Sequence, residues 1–249
     1  MKRTGRVVVV VQARMGSTRM PGKVLQPLSG VPMVGHVVAR AARIPGTDRL
    51  ATAIPALEED DVLEAYLRTL PQVEIVRGSA EDVLDRYRQA ARRLDADTIV
   101  RVTADCPLLC PEVSARVLRA YDAHPRADYA SNTLQRTYPR GLDTEVFSRA
   151  ALEVAASEAS RPSDREHVTP FLWRQPDRFT LVSVADDRDA SRLRWTVDTR
   201  EDLDMVEALL ASIEGRAELP DYEALLAHLE RHPELARINR HVRQKGLEA

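Results

Sequence analysis

The chain has 249 residues, 44% of them hydrophobic, and sets 36 Lys and Arg against 38 Asp and Glu for a formal net charge of -2. That length suits one α/β domain with a substantial core. Acids interspersed among the arginines leave no basic footprint, which excludes nucleic acid as a partner.

Val7 to Val11 is a continuous β-branched run and closes a strand, Arg6 to Val11, of the kind buried on both faces of a parallel sheet. It is too short to span a bilayer, and the basic residues ahead of it lack the apolar region and cleavage site of a signal peptide. A soluble cytoplasmic protein with no membrane partner is expected. Directly behind the strand stands Gln12 to Leu25, QARMGSTRMPGKVL. Parallel sheets bind ligands beyond the carboxyl ends of their strands, where this loop must lie. Gly16 and Gly22 allow tight turns, while Ser17, Thr18 and the main-chain amides offer donors to phosphate oxygens. Arg14, Arg19 and Lys23 supply charge, so the loop is built to hold a polyphosphate. It is not a P-loop. Five residues separate Gly16 from Gly22 where that motif has four, and Val24 stands where it needs a hydroxyl. Pro27 and Pro32 delay the next helix to about Met33.

Further strands are expected at Arg49 to Ile54, Val73 to Val76 and Thr98 to Val102. Helical spacing relates Val62, Leu63, Tyr66, Leu67 and Leu70, and again Val83, Leu84, Tyr87 and Leu94. This βαβα order predicts a mostly parallel sheet with helices on both faces. After Asp128 the rhythm loosens: strands at Tyr129 to Thr133 and Leu142 to Phe147, a helix at Ala150 to Ala159, and Phe179 to Val184 as an edge strand or dimer arm. Leu193 to Val197 reads as a further strand. Pro220 to Gln244 reads as two amphipathic helices broken at Pro233, whose Leu225, Leu229, Leu235, Ile238 and Val242 need the sheet or a second subunit to pack on. Cys106 and Cys110, the only cysteines, have no histidine nearby to complete a zinc site and are read as free buried thiols.

Asp105 falls just past the Thr98 to Val102 strand, and Asp198 closes Leu193 to Val197. Two carboxylates at that rim suit magnesium, which takes one or two carboxylates plus phosphate oxygens. Either is equally a turn or cap residue on spacing alone, although Thr199 and Asp202 already form a capping pair after Asp198. The nearest D-x-D, Asp95-Ala96-Asp97, precedes a strand where the metal motif of a glycosyltransferase follows one. Arg140, Asp143 and Glu145, then Arg165, Glu166 and His167, form two mixed-charge clusters that on their own also suit solvated or structural roles.

The Gln12 to Leu25 block, with RGSAEDVLDRY (Arg77 to Tyr87), RVTADCPL (Arg101 to Leu108), YPRGLDTEVF (Tyr138 to Phe147), REHVTP (Arg165 to Pro170) and RWTVDTREDL (Arg194 to Leu203), resembles a known family. It is that of the cytidylyltransferases making CMP-activated acidic sugars, the CMP-Kdo and CMP-sialic acid synthetases. The likeness is greater to the branch named after the spore coat polysaccharide biosynthesis protein SpsF. Gln12 stands where those synthetases usually have proline.

The resemblance implies a Rossmann-like nucleotide-diphospho-sugar transferase (GT-A-like) fold in a single domain, 1–249. Within it, 1–127 would be the nucleotide-binding half, 128–215 the acceptor and dimerisation half, and 216–249 C-terminal helices. It implies magnesium-dependent transfer of CMP from CTP to an acidic sugar or related acid, by a homodimer, with release of pyrophosphate. Arg14, Lys23, Asp105 and Asp198 would be catalytic, the two aspartates holding the metal. Gln12, Ala13, Arg14, Gly16, Ser17, Lys23, Arg77, Ser79, Thr103 and Ala104 would bind nucleotide, with the nucleobase against the backbone of Gln12 to Arg14 and the Arg77 to Arg86 segment. Asn132, Arg140, Asp143, Glu145, Arg165, Glu166 and His167 would shape the acceptor pocket. A phosphate or phosphonate acceptor, a glycosyltransferase using a finished nucleotide sugar, and a non-catalytic nucleotide-binding subunit are the alternatives.

Overall fold

The computed structural model describes residues 5–213 and 220–246. Residues 1–4, 214–219 and 247–249 lie outside them, and with them parts of the expected N-terminal basic stretch and of the 216–249 segment. The strands are β1 (Val7–Gln12), β2 (Pro27–Leu28), β3 (Val31–Pro32), β4 (Arg49–Pro55), β5 (Val73–Gly78), β6 (Thr98–Thr103), β7 (Tyr129–Ser131), β8 (Glu145–Ser148) and β9 (Leu181–Ser183). The helices are α1 (Met33–Ala41), α2 (Asp61–Leu67), α3 (Val83–Arg93), α4 (Pro111–Ala123), α5 (Arg149–Glu158), α6 (Pro162–His167), α7 (Pro170–Trp173), α8 (Arg200–Ser212), α9 (Tyr222–Arg231) and α10 (Pro233–Arg237). None among the described residues is long and apolar enough to cross a membrane.

Seven strands form one sheet in the order β5-β4-β1-β6-β8-β7-β9, and β2 pairs with β3 in a separate hairpin. β5, β4, β1 and β6 run parallel, β8 is antiparallel to both β6 and β7, and β9 runs parallel to β7. The valine run sits at the centre, and its period-two geometry divides it between two cores. Val7, Val9 and Val11 join Val34, Val37, Leu63, Leu67 and Val117 from α1, α2 and α4. Val8 and Val10 join Leu84, Tyr87, Leu152 and Leu172 from α3, α5 and α7 on the opposite face. A third core gathers Leu28, Tyr138, Trp195 and Val197 under Leu203, Val206, Leu225 and Leu229 of α8 and α9.

Most expected elements appear with bounds shifted by a residue or two, and α1 begins at Met33 as Pro32 requires. Four expectations are corrected. Leu193 to Val197 forms no strand; its one ladder contact is an isolated parallel bridge between Arg140 and Arg194. Val62, placed on the buried stripe of α2, is 55% exposed, whereas Leu63 and Leu67 are buried and Tyr66 and Leu70 pack beside them. The second C-terminal helix stops at Arg237 rather than running to Gln244. Its Leu235 and Ile238 pack on the third core of this same chain rather than on the sheet.

Candidate active site

The loop after β1 is clamped before it can hold anything. The buried Asp60 carboxylate accepts from the Met15 amide at 2.8 Å, and the Met15 carbonyl accepts from Ser17 N at 3.0 Å and Gly22 N at 2.9 Å. Gly22 sits at φ +70°, a left-handed conformation that a side chain would strain, and caps a single 3-10 turn over Lys23–Leu25. That turn points Lys23 inward, leaving it 8% exposed.

Lys23 Nζ donates to Asp105 Oδ2 at 3.1 Å, Asp198 Oδ1 at 2.8 Å and the Val197 carbonyl at 2.8 Å, so all three ammonium protons are used. Burial alone would lower the lysine pKa, but the two carboxylates overcome it and raise the value above the ordinary one. Burial likewise acts to raise Asp105, yet the Lys23 charge and the Thr103 hydroxyl hold it down to about 2. Two carboxylates facing one cation form a hard, all-oxygen donor pair of the kind a divalent magnesium accepts together with phosphate oxygens. No third acidic, histidine or cysteine ligand converges there among the described residues, so the rest of such a shell falls to substrate and water.

Asp198 is braced from behind. Its Oδ2 accepts from Arg194 Nη2 at 2.8 Å and pairs with Arg19 Nη2 at 2.9 Å. Arg194 is itself bound through Nε to the fully buried Asp202 at 2.8 Å, and Asp202 forms the expected capping box with Thr199 at the start of α8. Although Leu193 to Val197 is not a strand, Val197 N donates to the Asp105 carbonyl at 2.8 Å, which still draws Asp198 to the β6 rim. The proposed metal pair therefore meets by a loop contact. Asp95 and Asp97 lie at the amino end of β6, engaged with Arg149 and the Arg6 amide.

Lys23, Asp105 and Asp198 line a cavity of about 680 Å³ beyond the carboxyl ends of β1 and β6. Its wall takes Ser17, Thr18 and Arg19 from the loop and Arg140, Gly141 and Asp143 from the segment before β8. The sequence matches the cytidylyltransferase family over residues 8–229. The chain belongs to that family. It is 31% identical over 211 residues to the spore coat polysaccharide biosynthesis protein SpsF of Bacillus subtilis, covering 82% of this chain and 85% of that one. It is 29% identical over 241 residues to a 3-deoxy-manno-octulosonate cytidylyltransferase of Anaeromyxobacter dehalogenans, covering 83% of this chain and 98% of that one. A solved cytidylyltransferase of Leptospira borgpetersenii superposes with a TM-score of 0.88 at 28% identity, over 97% of this chain and 99% of its own.

In this cytidylyltransferase the cavity brings together, of the residues expected from sequence, Gln12, Ala13, Arg14, Ser17, Lys23, Thr103, Ala104, Asp105, Arg140, Asp143, Glu166, His167 and Asp198. Arg14 Nη2 reaches Glu166 Oε1 at 3.3 Å across it. Gly16, Arg77, Ser79, Asn132, Glu145 and Arg165 are not part of its lining. Arg77, on the outermost parallel strand β5, is tied to Asp61 at 2.6 Å and to Glu64. Ser79 Oγ accepts from the Asp82 amide at 3.2 Å. Asn132 is buried between the Leu142 carbonyl and the Thr144 amide, and Arg165 pairs with Asp82. Glu145 accepts from Arg101, Tyr129 and Thr169 beneath the floor.

Arg101, absent from the expected set, does line the cavity, and so does Arg86, the last residue of the 77–86 segment expected beside the nucleobase. Arg101 Nη2 donates to Gln12 Oε1 at 2.8 Å, while Glu145 outweighs burial and raises its pKa. Arg86 is 1% exposed; its Nη1 donates to the Ser79 carbonyl at 3.0 Å, and its buried Nε has no partner among the described residues.

Proposed function

We propose that this cytidylyltransferase transfers CMP from CTP to an acidic sugar or related acid with release of pyrophosphate. It would use magnesium and serve cell-surface or spore-coat polysaccharide biosynthesis. The observation that supports this most is the meeting of Lys23, Asp105 and Asp198 on the floor of a cavity whose loop wall offers Arg14, Ser17, Thr18 and Arg19.

The loop amides and hydroxyls, with Arg14 and Arg19, bind the triphosphate. Lys23 neutralises charge that builds on the leaving pyrophosphate. The nucleobase lies against Gln12 to Arg14 and against Val83 and Arg86, the part of the 77–86 segment that lines the cavity, where Arg86 also fixes the Ser79 carbonyl. Asp105 and Asp198 would hold the metal, which would polarise the α-phosphate and lower the pKa of an acceptor hydroxyl. Arg140, Asp143, Glu166 and His167 face the acceptor. In-line displacement then asks the protein for positioning and charge rather than covalent work. A homodimer belongs to the proposal, since β9 is an edge strand with one side open to pairing among the described residues; sedimentation velocity tests it.

The purified protein is incubated with each of the four NTPs, magnesium, and a panel of sugar acids, phosphosugars and phosphonates, and pyrophosphate is measured. Release with CTP and a sugar acid, abolished by EDTA, is the expected result. Release only with a phosphorylated acceptor would replace the substrate class, and none with any combination would overturn the reading.

A further inference from the structure

Beyond α10 the chain runs to residue 246 without regular secondary structure, yet it is held at two points. Asn239, 2% exposed, donates from Nδ2 to Asp202 Oδ1 and to the Arg194 carbonyl, each at 2.9 Å. Gln244 Oε1 accepts from Arg194 Nη1 at 2.6 Å. Both anchors converge on the arginine that braces Asp198, and Gln244, Lys245 and Gly246 form a wall of the active-site cavity. Segments outside regular secondary structure need such ties to hold one position, and this one is tied where it lines the cavity.

Charge on that side of the cavity is unbalanced. Asp198 is matched by Lys23, Arg19 and Arg194. Arg140, whose backbone bridges that of Arg194, makes no side-chain hydrogen bond or ion pair among the described residues. Burial, with Arg136 and Arg194 nearby, lowers its pKa against the pull of Asp143. Lys245 also has no ion pair among them. Two cations left unmatched in one cavity suit an anionic ligand group. The loop cations face the triphosphate on this reading, and the tail lies past residue 229, where the family match ends, although the cytidylyltransferase of Leptospira borgpetersenii superposes over 97% of this chain.

We propose that the C-terminal tail is an acceptor-binding element: anchored through Asn239 and Gln244, it presents Lys245 so that, with Arg140, it binds the acidic group of the acceptor, a carboxylate or a phosphate. This rests on the CMP-transfer reading of the site. Lys245→Ala, in the full chain, raises KM for the acceptor about tenfold, the loss of one charge-assisted hydrogen bond. It leaves KM for CTP and the melting temperature unchanged, and Lys245→Arg restores most of the loss. Gln244→Ala moves acceptor KM the same way by loosening the tail. The sugar-acid and phosphosugar arms of the panel distinguish a carboxylate from a phosphate.

Unchanged acceptor KM in Lys245→Ala overturns the tail proposal while leaving CMP transfer intact. So does a rise in CTP KM equal to that for the acceptor. If the wild type turns over no member of the panel, the CMP-transfer reading falls. The tail proposal is then decided by calorimetry on the same compounds: weaker binding to Lys245→Ala than to wild type supports it, and equal binding, or none to either, overturns it.

Discussion

Lys23→Ala tests the centre of the site because that side chain pairs with two carboxylates in the structure and, on the proposed reading, also neutralises the leaving pyrophosphate. The ammonium is the shared counter-charge of Asp105 and Asp198. Without it Asp198 keeps Arg19 and Arg194, whereas Asp105 keeps only the Thr103 hydroxyl and the Cys106 thiol. Removing one partner of a fully buried ion pair costs about 3–5 kcal/mol. The Asp105 and Asp198 side chains are 27% and 14% exposed, and solvent screening reduces the expected loss to about 2 kcal/mol. In a domain of this length that is a fall of about 4–8 °C in Tm. Turnover should fall about a hundredfold or more, as when one preorganised donor is lost. The pH dependence carries a sign. In the wild type Asp105 has a folded pKa of about 2, below its unfolded value of about 3.9, so its contribution is present above the unfolded value and is lost as pH falls towards 2. Without Lys23, burial dominates and raises the folded pKa above the unfolded one, so the carboxyl favours folding only at low pH. The Tm gap between wild type and variant should therefore widen as pH rises from about 3 to about 6, as read by thermal melts. Parallel melts at every pH, with a tenfold or smaller loss of pyrophosphate release, would refute the assignment.

Asp198→Asn keeps an oxygen for Arg194 but gives up the anionic ligand. Folding should hold while the magnesium titration of pyrophosphate release shifts to higher concentration; an unshifted curve makes Asp198 merely structural. Gly141→Ala puts a Cβ 2.5 Å from the Trp195 carbonyl carbon and 2.6 Å from Thr196 N, at φ +107°. It should cost about 1–3 kcal/mol or more in melts and disturb acceptor binding through Arg140. Glu145→Gln leaves Arg101 buried without its counter-charge, and a loss of about 3 kcal/mol is expected in urea unfolding. Cys106 and Cys110 are 4% and 3% exposed, and burial raises both thiols above their ordinary range. Neither should react with a chromogenic disulfide at neutral pH until the chain is unfolded.

The central strands and the loop behind β1 were legible because their signals are local: a β-branched run, glycines, prolines and clustered cations. Leu193 to Val197 alternates apolar and polar residues as a strand does, and Trp195 and Val197 are buried, but so are Arg194 and Thr196. Its partners, though, are the carbonyls of Arg140 and Asp105 on either side rather than a sheet edge, and periodicity does not distinguish the two. Arg77 and Ser79 belong to a block that is contiguous in sequence, but β5 lies two strands from β1 and carries Arg77 away from the cavity. Strand order is a long-range property that no local pattern encodes. Arg101 was the readable omission. An arginine between Val100 and Val102 in a buried strand demands a buried counter-charge, and Glu145 opposite it on β8 supplies one.

Architecture and chemistry share atoms at Arg194. Its guanidinium joins the α8 cap residue Asp202, the tail residue Gln244 and the proposed metal ligand Asp198. Asp202 in turn accepts from the Asp198 and Thr199 amides at 3.0 and 3.1 Å, fixing the backbone on which the ligand stands. A change at Arg194 or Asp202 thus loosens the α8 start, frees the tail and releases Asp198 together. Lost activity in such variants says little about chemistry on its own. Asp198 and Lys245 are more informative positions, because one sits at the metal end of this network and the other at its tail end. Magnesium dependence and acceptor KM then separate what the network supports from what it merely holds in place.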